Sequence, residues 1–110
     1  MEFGQAGLVL LAPQKALECT RSRLIVDRPK DYMEGDLVIG EFLGDLDLVV
    51  IRSDPGQADF GHVLVALPID PRSFWYEAAS GLAEFLEKYA AAEGDKFWEV
   101  NRRIRQSHET

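Results

Sequence analysis

Three apolar runs in the middle of the chain, each bounded by turn-forming residues, constrain its fold more than any other feature. The runs cover residues 36–42, 46–51 and 61–67, and the linkers between them are Gly44-Asp45 and Ser53-Asp54-Pro55-Gly56-Gln57. Short runs rich in Val, Leu and Ile that end in turn residues are typical of strands. A glycine–aspartate link between two such runs is also a hairpin signal. The sequence therefore predicts an antiparallel meander of at least three strands.

The flanking segments predict one further strand and two helices. Residues 7–11 form a short apolar run, and Pro13 can open a helix that ends near Arg23. After Pro68 and Pro71, we predict a long amphipathic helix that is capped by Ser73, ends at Gly94 and carries Trp75, Ala79, Leu82, Phe85, Leu86 and Tyr89 at helical spacing. The predicted class is α+β: an antiparallel sheet of about four strands packed against a C-terminal amphipathic helix, with a short helix after the first strand.

The length of 110 residues predicts one domain, which we assign to residues 1–105, with residues 106–110 as a flexible tail. A last short helix, capped by Asp95, is predicted to direct Phe97, Val100 and Ile104 inward. The longest apolar run, residues 8–13, is too short to span a bilayer, and no basic segment precedes it. We therefore expect a cytoplasmic protein without membrane association. Cys19 is the single cysteine, which excludes an internal disulfide.

The charge is acidic overall and concentrated in the middle of the chain. A formal net charge of -7 argues against nucleic-acid binding, because phosphate contacts need a basic surface. It favours a basic protein partner. The acidic residues that we expect to face this partner are Glu41, Asp45, Asp47, Asp54 and Asp59, with Tyr76 as an aromatic contact.

No residue pattern predicts catalysis. Asp45 and Asp47 could share one face of a strand and hold a cation, but no third and fourth oxygen ligand follows at a recognisable spacing. His62 has no sequence motif that would supply a nucleophile or a second histidine. No glycine-rich phosphate loop precedes a helix. We therefore predict no catalytic residues, no metal site and no cofactor.

The order of the motifs resembles the SUKH superfamily, which includes Smi/Knr-type regulators of fungi and many bacterial immunity proteins. The resemblance rests on Val38-Ile39-Gly40, Gly44-Asp45-Leu46, Gly61-His62-Val63 and the segment from Trp75 to Leu86. Its structural motif residues are Gly40, Gly44, Trp75, Ser80, Phe85 and Leu86. The family usually begins with two helices that have no counterpart here. The chain is thus either a short natural member or a domain without its first third, which would favour a homodimer.

The resemblance implies an immunity protein that binds and occludes a bacterial toxin of the nuclease or deaminase type. Its acidic face would meet the basic cleft of the toxin. Two alternatives stay open. The first is a regulatory interaction module of the Smi/Knr type, whose exposed apolar patch would bind in a salt-resistant way. The second is a small-ligand-binding domain or weak enzyme with a pocket near His62.

Overall fold

A computed structural model describes residues 2–3, 7–42, 46–93 and 97–98. They contain a six-stranded antiparallel sheet in which each strand pairs with the one before it in the chain. The strands are β1 (Glu2–Phe3), β2 (Leu8–Leu10), β3 (Asp36–Phe42), β4 (Leu48–Arg52), β5 (Val63–Ala66) and β6 (Tyr76–Ala79). Helix α1 spans Pro13–Arg21 and continues as a π-helical segment, Ser22–Asp27, while helix α2 spans Leu82–Ala91. The predicted α+β class is therefore confirmed, with more strands than the four expected.

The two helices cover opposite faces of the sheet. Val49 and Val50 are consecutive strand residues, both fully buried, and consecutive strand side chains point to opposite faces. Val50 belongs to the core on the α1 face, which also contains Tyr32, Val38 and Ala66. Val49 belongs to the core on the α2 face, which is larger and rich in aromatic residues: Leu8, Phe42, Val63, Val65, Phe85, Tyr89 and Trp98. The prediction placed a helix on the sheet but did not anticipate a core on each face.

Helix α1 is tied to the sheet by the hydroxyl of Thr20. This hydroxyl donates to the Ala16 carbonyl at 2.7 Å and accepts a hydrogen bond from the backbone N–H of Val38 at 2.8 Å. Directly after Val38 the register between β3 and β4 shifts at a bulge that ends at Gly40. Thr20 therefore fixes α1 beside the point where β3 is irregular.

The long C-terminal helix begins later than predicted. Residues Tyr76–Ala79 form strand β6, and Ser73 lies in a single 3-10 turn, so neither the Ser73 cap nor a helical Trp75 is correct. The backbone of this segment pairs with β5 instead, and Ala79 lies opposite Val63. This pairing supplies the hydrogen bonds that its backbone N–H and C=O groups need.

Helix α2 has its own start signal, and Ser80 lies just before the helix rather than inside it. Gly81 is the N-cap residue, and the Ser80 backbone N–H donates to the Glu84 carboxylate at 3.0 Å. This hydrogen bond holds the pKa of Glu84 below its ordinary value. Phe85 and Leu86 lie in α2 as predicted, and Phe85 is completely buried.

Gly40 lies where the backbones of β2 and β3 approach each other closely. A Cβ atom at this position would lie 3.1 Å from the Val9 carbonyl oxygen and 3.3 Å from a Leu8 methyl group. With a Cβ atom at this position, the neighbouring backbone of β2 would have to shift by a few tenths of an ångström. Gly44, the other glycine of the predicted motif, lies outside the described residues.

Two further predictions fall outside the described part of the chain. These are the Gly44-Asp45 hairpin link and the end of the chain, where the Asp95 cap, Val100, Ile104 and the 106–110 tail were expected. The antiparallel pairing of β3 with β4 is present on either side of residues 43–45. No helix among the described residues is long and apolar enough to cross a membrane.

Candidate functional site

The acidic residues predicted to form one partner-facing surface lie at opposite ends of the sheet. Glu41 lies near the end of β3, where it pairs with Leu48 at the start of β4, and Asp47 directly precedes β4. Asp54 and Asp59 follow the far end of β4. Five residues of extended strand separate the two ends, a distance of about 17 Å. Of the predicted set, Asp45 lies outside the described residues.

Most of this acidic charge is used within the fold. Asp59 accepts a hydrogen bond from Arg52 Nε at 2.9 Å, and Asp54 accepts one from the Gly56 N–H at 2.9 Å in a turn. Asp47 is only 6% exposed, and it directly precedes β4 although the predicted strand 46–51 included it. Strand β4 begins one residue later, and the Asp47 carbonyl accepts a hydrogen bond from the Phe42 N–H.

Trp75, which directly precedes β6, and Tyr76, its first residue, lie half-buried on opposite faces of the sheet. Tyr76, the predicted aromatic contact, packs against the core on the α2 face. Trp75 packs on the α1 face, where its ring makes an edge contact with Tyr32 at a centroid distance of 4.8 Å. Trp75 was expected to be a core residue, and its neighbours are the charged groups described next.

A buried carboxylate, Asp36, organises the α1 face of the sheet. Its side chain is fully buried and accepts hydrogen bonds from Arg52 at 2.7 Å, from Arg72 at 3.0 Å and from the Met33 N–H at 3.0 Å. Sequence reasoning missed this network. Its partners lie 16 and 36 residues away along the chain, and no local pattern marks them.

Arg28 also connects separate segments of the chain, next to this network. Its guanidinium pairs with the Asp31 carboxylate at 2.9 Å and donates to the backbone carbonyls of Leu67 and Asp70. It also lies over the Trp75 ring, 5.8 Å from the centroid. Arg28 thus joins the segment before β3 to the segment that follows β5.

These two segments border a cavity of about 280 Å³ on the α1 face. We call it the sheet-end cavity, because it lies where β3 ends, β4 begins and β5 ends. Its polar lining residues are Arg23, Arg28, Tyr32 and Glu41, and its apolar lining residues are Phe42, Leu46, Leu48, Ala66, Leu67 and Pro68. The volume is close to the lower limit, roughly 300 Å³, of pockets that bury small molecules.

Two polar groups in the cavity have no partner among the described residues. Tyr32 is 4% exposed, yet its hydroxyl makes no hydrogen bond within this part of the chain. Burial raises the pKa of Tyr32 to about 12, so the hydroxyl stays protonated and able to donate. The half-buried Glu41 carboxylate likewise has no hydrogen bond or ion pair within the described ranges. Neither side chain contains a fully enclosed polar atom without a partner, so both can interact with water or with a ligand that enters the cavity.

The rim of the cavity is apolar and, at one point, strained. Leu46 has a backbone φ of 65° and a side chain that is 75% exposed. The left-handed conformation costs a residue with a Cβ atom about 1–2 kcal/mol. Ile69 follows the lining residue Pro68 in the sequence and is 89% exposed. We refer to Leu46, Pro68 and Ile69 as the apolar rim.

His62 lies away from this cavity. It precedes β5, and its Nδ1 atom contacts the carboxylate of Glu77 on β6. His62 is not among the lining residues of the sheet-end cavity. In the described ranges, no group of three or more His, Cys, Asp or Glu side chains is arranged to hold a metal ion.

The fold and the cavity together define a small α+β domain with a two-sided sheet and one candidate binding site. Comparisons add no relative to this description, because no protein-family model, curated protein or solved structure matches the chain. The SUKH resemblance therefore stays a prediction.

Proposed function

We propose that this domain binds another protein, and that the apolar rim of the sheet-end cavity makes the contact. The conformation of Leu46 is the observation that carries the proposal. A leucine at positive φ is disfavoured, and here the strained residue holds an apolar side chain in solvent, so the fold gains nothing from burying it. Backbone strain of this kind is concentrated at functional sites.

The distribution of charge supports an apolar contact over an acidic one. The described acidic residues are divided between the two ends of the sheet, and Asp47 and Asp59 are buried or paired with arginine. Leu46, which lines the cavity, and Ile69, which follows the lining residue Pro68, instead expose apolar surface. Apolar contacts depend little on ionic strength, whereas contacts between exposed charges are screened by salt. We therefore propose a salt-resistant complex.

The resemblance to the SUKH superfamily suggests a class of protein partner. An immunity protein would bind a bacterial toxin and block its active site, and the apolar rim would serve as the anchor of that interface. Apolar anchors near the centre of an interface supply most of its affinity. The net charge of -7 would then assist the encounter with a basic toxin rather than hold the complex together.

The proposal is tested by comparing rim variants with a matched apolar variant elsewhere. Immobilised wild-type domain is used to capture partners from lysate of the source cells. The dissociation constant of a captured protein is then measured by calorimetry for wild type, Leu46→Asp, Ile69→Asp and Phe60→Asp. Phe60 is 54% exposed in the connection between β4 and β5, at the far end of the sheet. We expect both rim variants to weaken binding at least about tenfold, since they remove an apolar anchor, and Phe60→Asp to leave it unchanged.

A salt series separates the apolar contact from an acidic one. Raising NaCl from about 0.05 M to about 0.5 M should change the dissociation constant only slightly if the rim makes the contact. If Asp54→Lys abolished binding while the rim variants bound normally, the acidic-face interpretation would replace this one. For the immunity role, co-expression with the captured protein should relieve its toxicity, and the rim variants should fail to do so.

A further inference from the structure

We propose that the sheet-end cavity receives a lysine side chain of the protein partner, with the Glu41 carboxylate as its counter-charge. The inference rests on the proposed function, because the lysine belongs to the protein that the apolar rim contacts, and it adds the chemistry of one partner residue. The evidence comes from the charges of the lining residues, from the strand neighbours of Glu41 and from the apolar walls of the cavity.

The first observation is that, within the described part of the chain, Glu41 is the charged lining residue without a partner. Arg28 is paired with Asp31 at 2.9 Å and donates to two backbone carbonyls, and Arg23 also has an interaction partner. Tyr32 is neutral, because burial raises its pKa to about 12. The half-buried Glu41 carboxylate has no hydrogen bond or ion pair in the described ranges. The cavity can therefore pair with a cation rather than with an anion.

The second observation explains why Glu41 has no partner in the sheet. In β3 it lies between Val9 of β2 and Leu48 of β4. Side chains directly opposite each other on neighbouring strands are close enough to form ion pairs, but both of these neighbours are apolar. The sheet thus leaves the carboxylate to pair with a cation from outside the described fold.

The third observation is that the cavity has apolar walls for the methylene groups of a lysine. Leu46, Leu48 and Phe42 line the cavity together with Glu41. Lysine side chains commonly bury their methylene groups against apolar surface while the ammonium group stays in a polar environment. Leu46 is 75% exposed, so a partner that contacts this rim residue also reaches the cavity. Because Glu41 is half-buried, salt screens its ion pair less than a pair in open solvent, which is consistent with a salt-resistant complex.

The hydrogen-bonding groups of the cavity favour lysine over arginine. An ammonium group has three N–H donors, whereas the planar guanidinium group has five in a fixed geometry. Among the polar lining side chains, Arg23 and Arg28 only donate. The acceptors are the Glu41 carboxylate and the Tyr32 hydroxyl oxygen. These two groups satisfy an ammonium group more completely than a guanidinium group.

The chemistry of the bound side chain can be tested with three blocked amino acids. They are Nα-acetyl-L-lysine N-methylamide and the corresponding derivatives of L-norleucine, which has the same straight chain without the ammonium group, and of L-arginine. Binding to the full chain is measured by amide chemical-shift changes of the cavity residues. We expect the lysine derivative to bind at least about tenfold more tightly than the norleucine derivative and about threefold more tightly than the arginine derivative.

A conservative variant identifies the counter-charge. Glu41→Gln keeps the size of the side chain and removes its charge, so it should weaken the lysine derivative about tenfold and leave the norleucine derivative unchanged. Glu41 makes no bond to the described fold, so we expect the melting temperature to be unchanged. Glu87→Gln is the control, because this exposed carboxylate lies on α2, which covers the opposite face of the sheet. It should change neither affinity.

The same variant connects the cavity to the protein contact. In the calorimetric test with the captured partner, Glu41→Gln should raise the dissociation constant about tenfold, and Glu87→Gln should not change it. If Leu46→Asp weakened the complex but Glu41→Gln did not, the lysine contact would be wrong and the apolar rim would stand. If Glu41→Gln weakened the complex but Leu46→Asp did not, the apolar rim would be wrong and the lysine contact would stand.

Three results with the blocked amino acids would overturn the proposal. If the norleucine derivative bound as tightly as the lysine derivative, the cavity would be a purely apolar pocket. If the arginine derivative bound as tightly or more tightly, the cavity would not be a lysine site. If none of the three shifted the resonances of cavity residues at millimolar concentration, the cavity would not receive a basic side chain. These measurements contain no protein partner, so their failure would leave the proposal for the apolar rim unaffected.

Discussion

Arg72 binds both carboxylate oxygens of Asp36, a residue that lies 36 positions earlier in the chain and whose side chain is completely buried. Arg52 donates to the same carboxylate from the end of β4. The three residues join the start of β3, the end of β4 and the segment before β6. A carboxylate can be buried in this way because two cations and the Met33 N–H replace the water that it loses.

Removal of this carboxylate should be strongly destabilising. Asp36→Ala leaves Arg52, which is 3% exposed, and Arg72 without their shared counter-charge. We expect the free energy of unfolding, measured by urea denaturation, to fall by about 3–5 kcal/mol. Asp54→Ala is the control, because it removes one exposed turn hydrogen bond and should cost about 1 kcal/mol or less. Equal effects of the two substitutions would contradict the central role of Asp36.

A methyl group at Gly40 should destabilise the fold. In Gly40→Ala the added carbon would meet the Val9 carbonyl oxygen at 3.1 Å, so β2 and β3 would have to move apart. Overpacking of this kind costs about 1–3 kcal/mol of unfolding free energy. The same substitution at Gly81 meets no atom within 4 Å, and we expect it to cost less than about 1 kcal/mol. Thermal and urea denaturation of both variants would show whether the order is reversed.

Leu46→Gly should separate stability from function. Glycine adopts positive φ without a steric penalty, and the side chain that is lost is 75% exposed. We therefore expect the free energy of unfolding to remain unchanged or to rise by up to about 1 kcal/mol. Binding to the protein partner should nevertheless weaken. A marked loss of stability would mean that the Leu46 side chain stabilises the fold, which would contradict a role for its strained conformation in binding.

The Tyr32 hydroxyl should lose its proton at a higher pH than an exposed tyrosine, and its ionisation should destabilise the fold at alkaline pH. Its pKa is raised to about 12 from an ordinary value of 10.0, so burial favours the neutral form. The resulting stabilisation is fully present below pH 10.0 and is lost as the pH rises towards 12. The ultraviolet absorbance of tyrosinate should show a late component among the three tyrosines, and Tyr32→Phe should remove it. A late component that survives in Tyr32→Phe would assign it to Tyr76 or Tyr89.

Much of the sheet was predictable because strands and turns leave local signals. The predicted strand 36–42 coincides with β3, and the runs 46–51 and 61–67 overlap β4 and β5. These strands are marked by apolar runs that alternate with clusters of turn-forming residues, a pattern that involves only residues close together in the sequence. The observed meander, in which every strand pairs with its predecessor, follows the same order.

The start of the C-terminal helix was not predictable in this way. Residues 76–79, with the sequence Tyr-Glu-Ala-Ala, are compatible with a helix by composition, and Trp75 and Ala79 are four positions apart. Pairing with β5 nevertheless makes the segment a strand. The secondary structure of such a short segment depends on the neighbouring strand or helix with which it can pair or pack.

Composition and contacts between near neighbours were enough to predict the α+β class, the central meander and the excess of acidic charge. The position of that charge in space depends instead on how the chain folds. Asp36 is buried between Arg52 and Arg72, Glu41 lines a cavity together with Arg23 and Arg28, and Asp54 and Asp59 lie at the other end of the sheet. The physical reason is that electrostatic interactions depend on distance in space and on burial. Neither quantity can be read from positions that lie 16 or 36 residues apart along a chain.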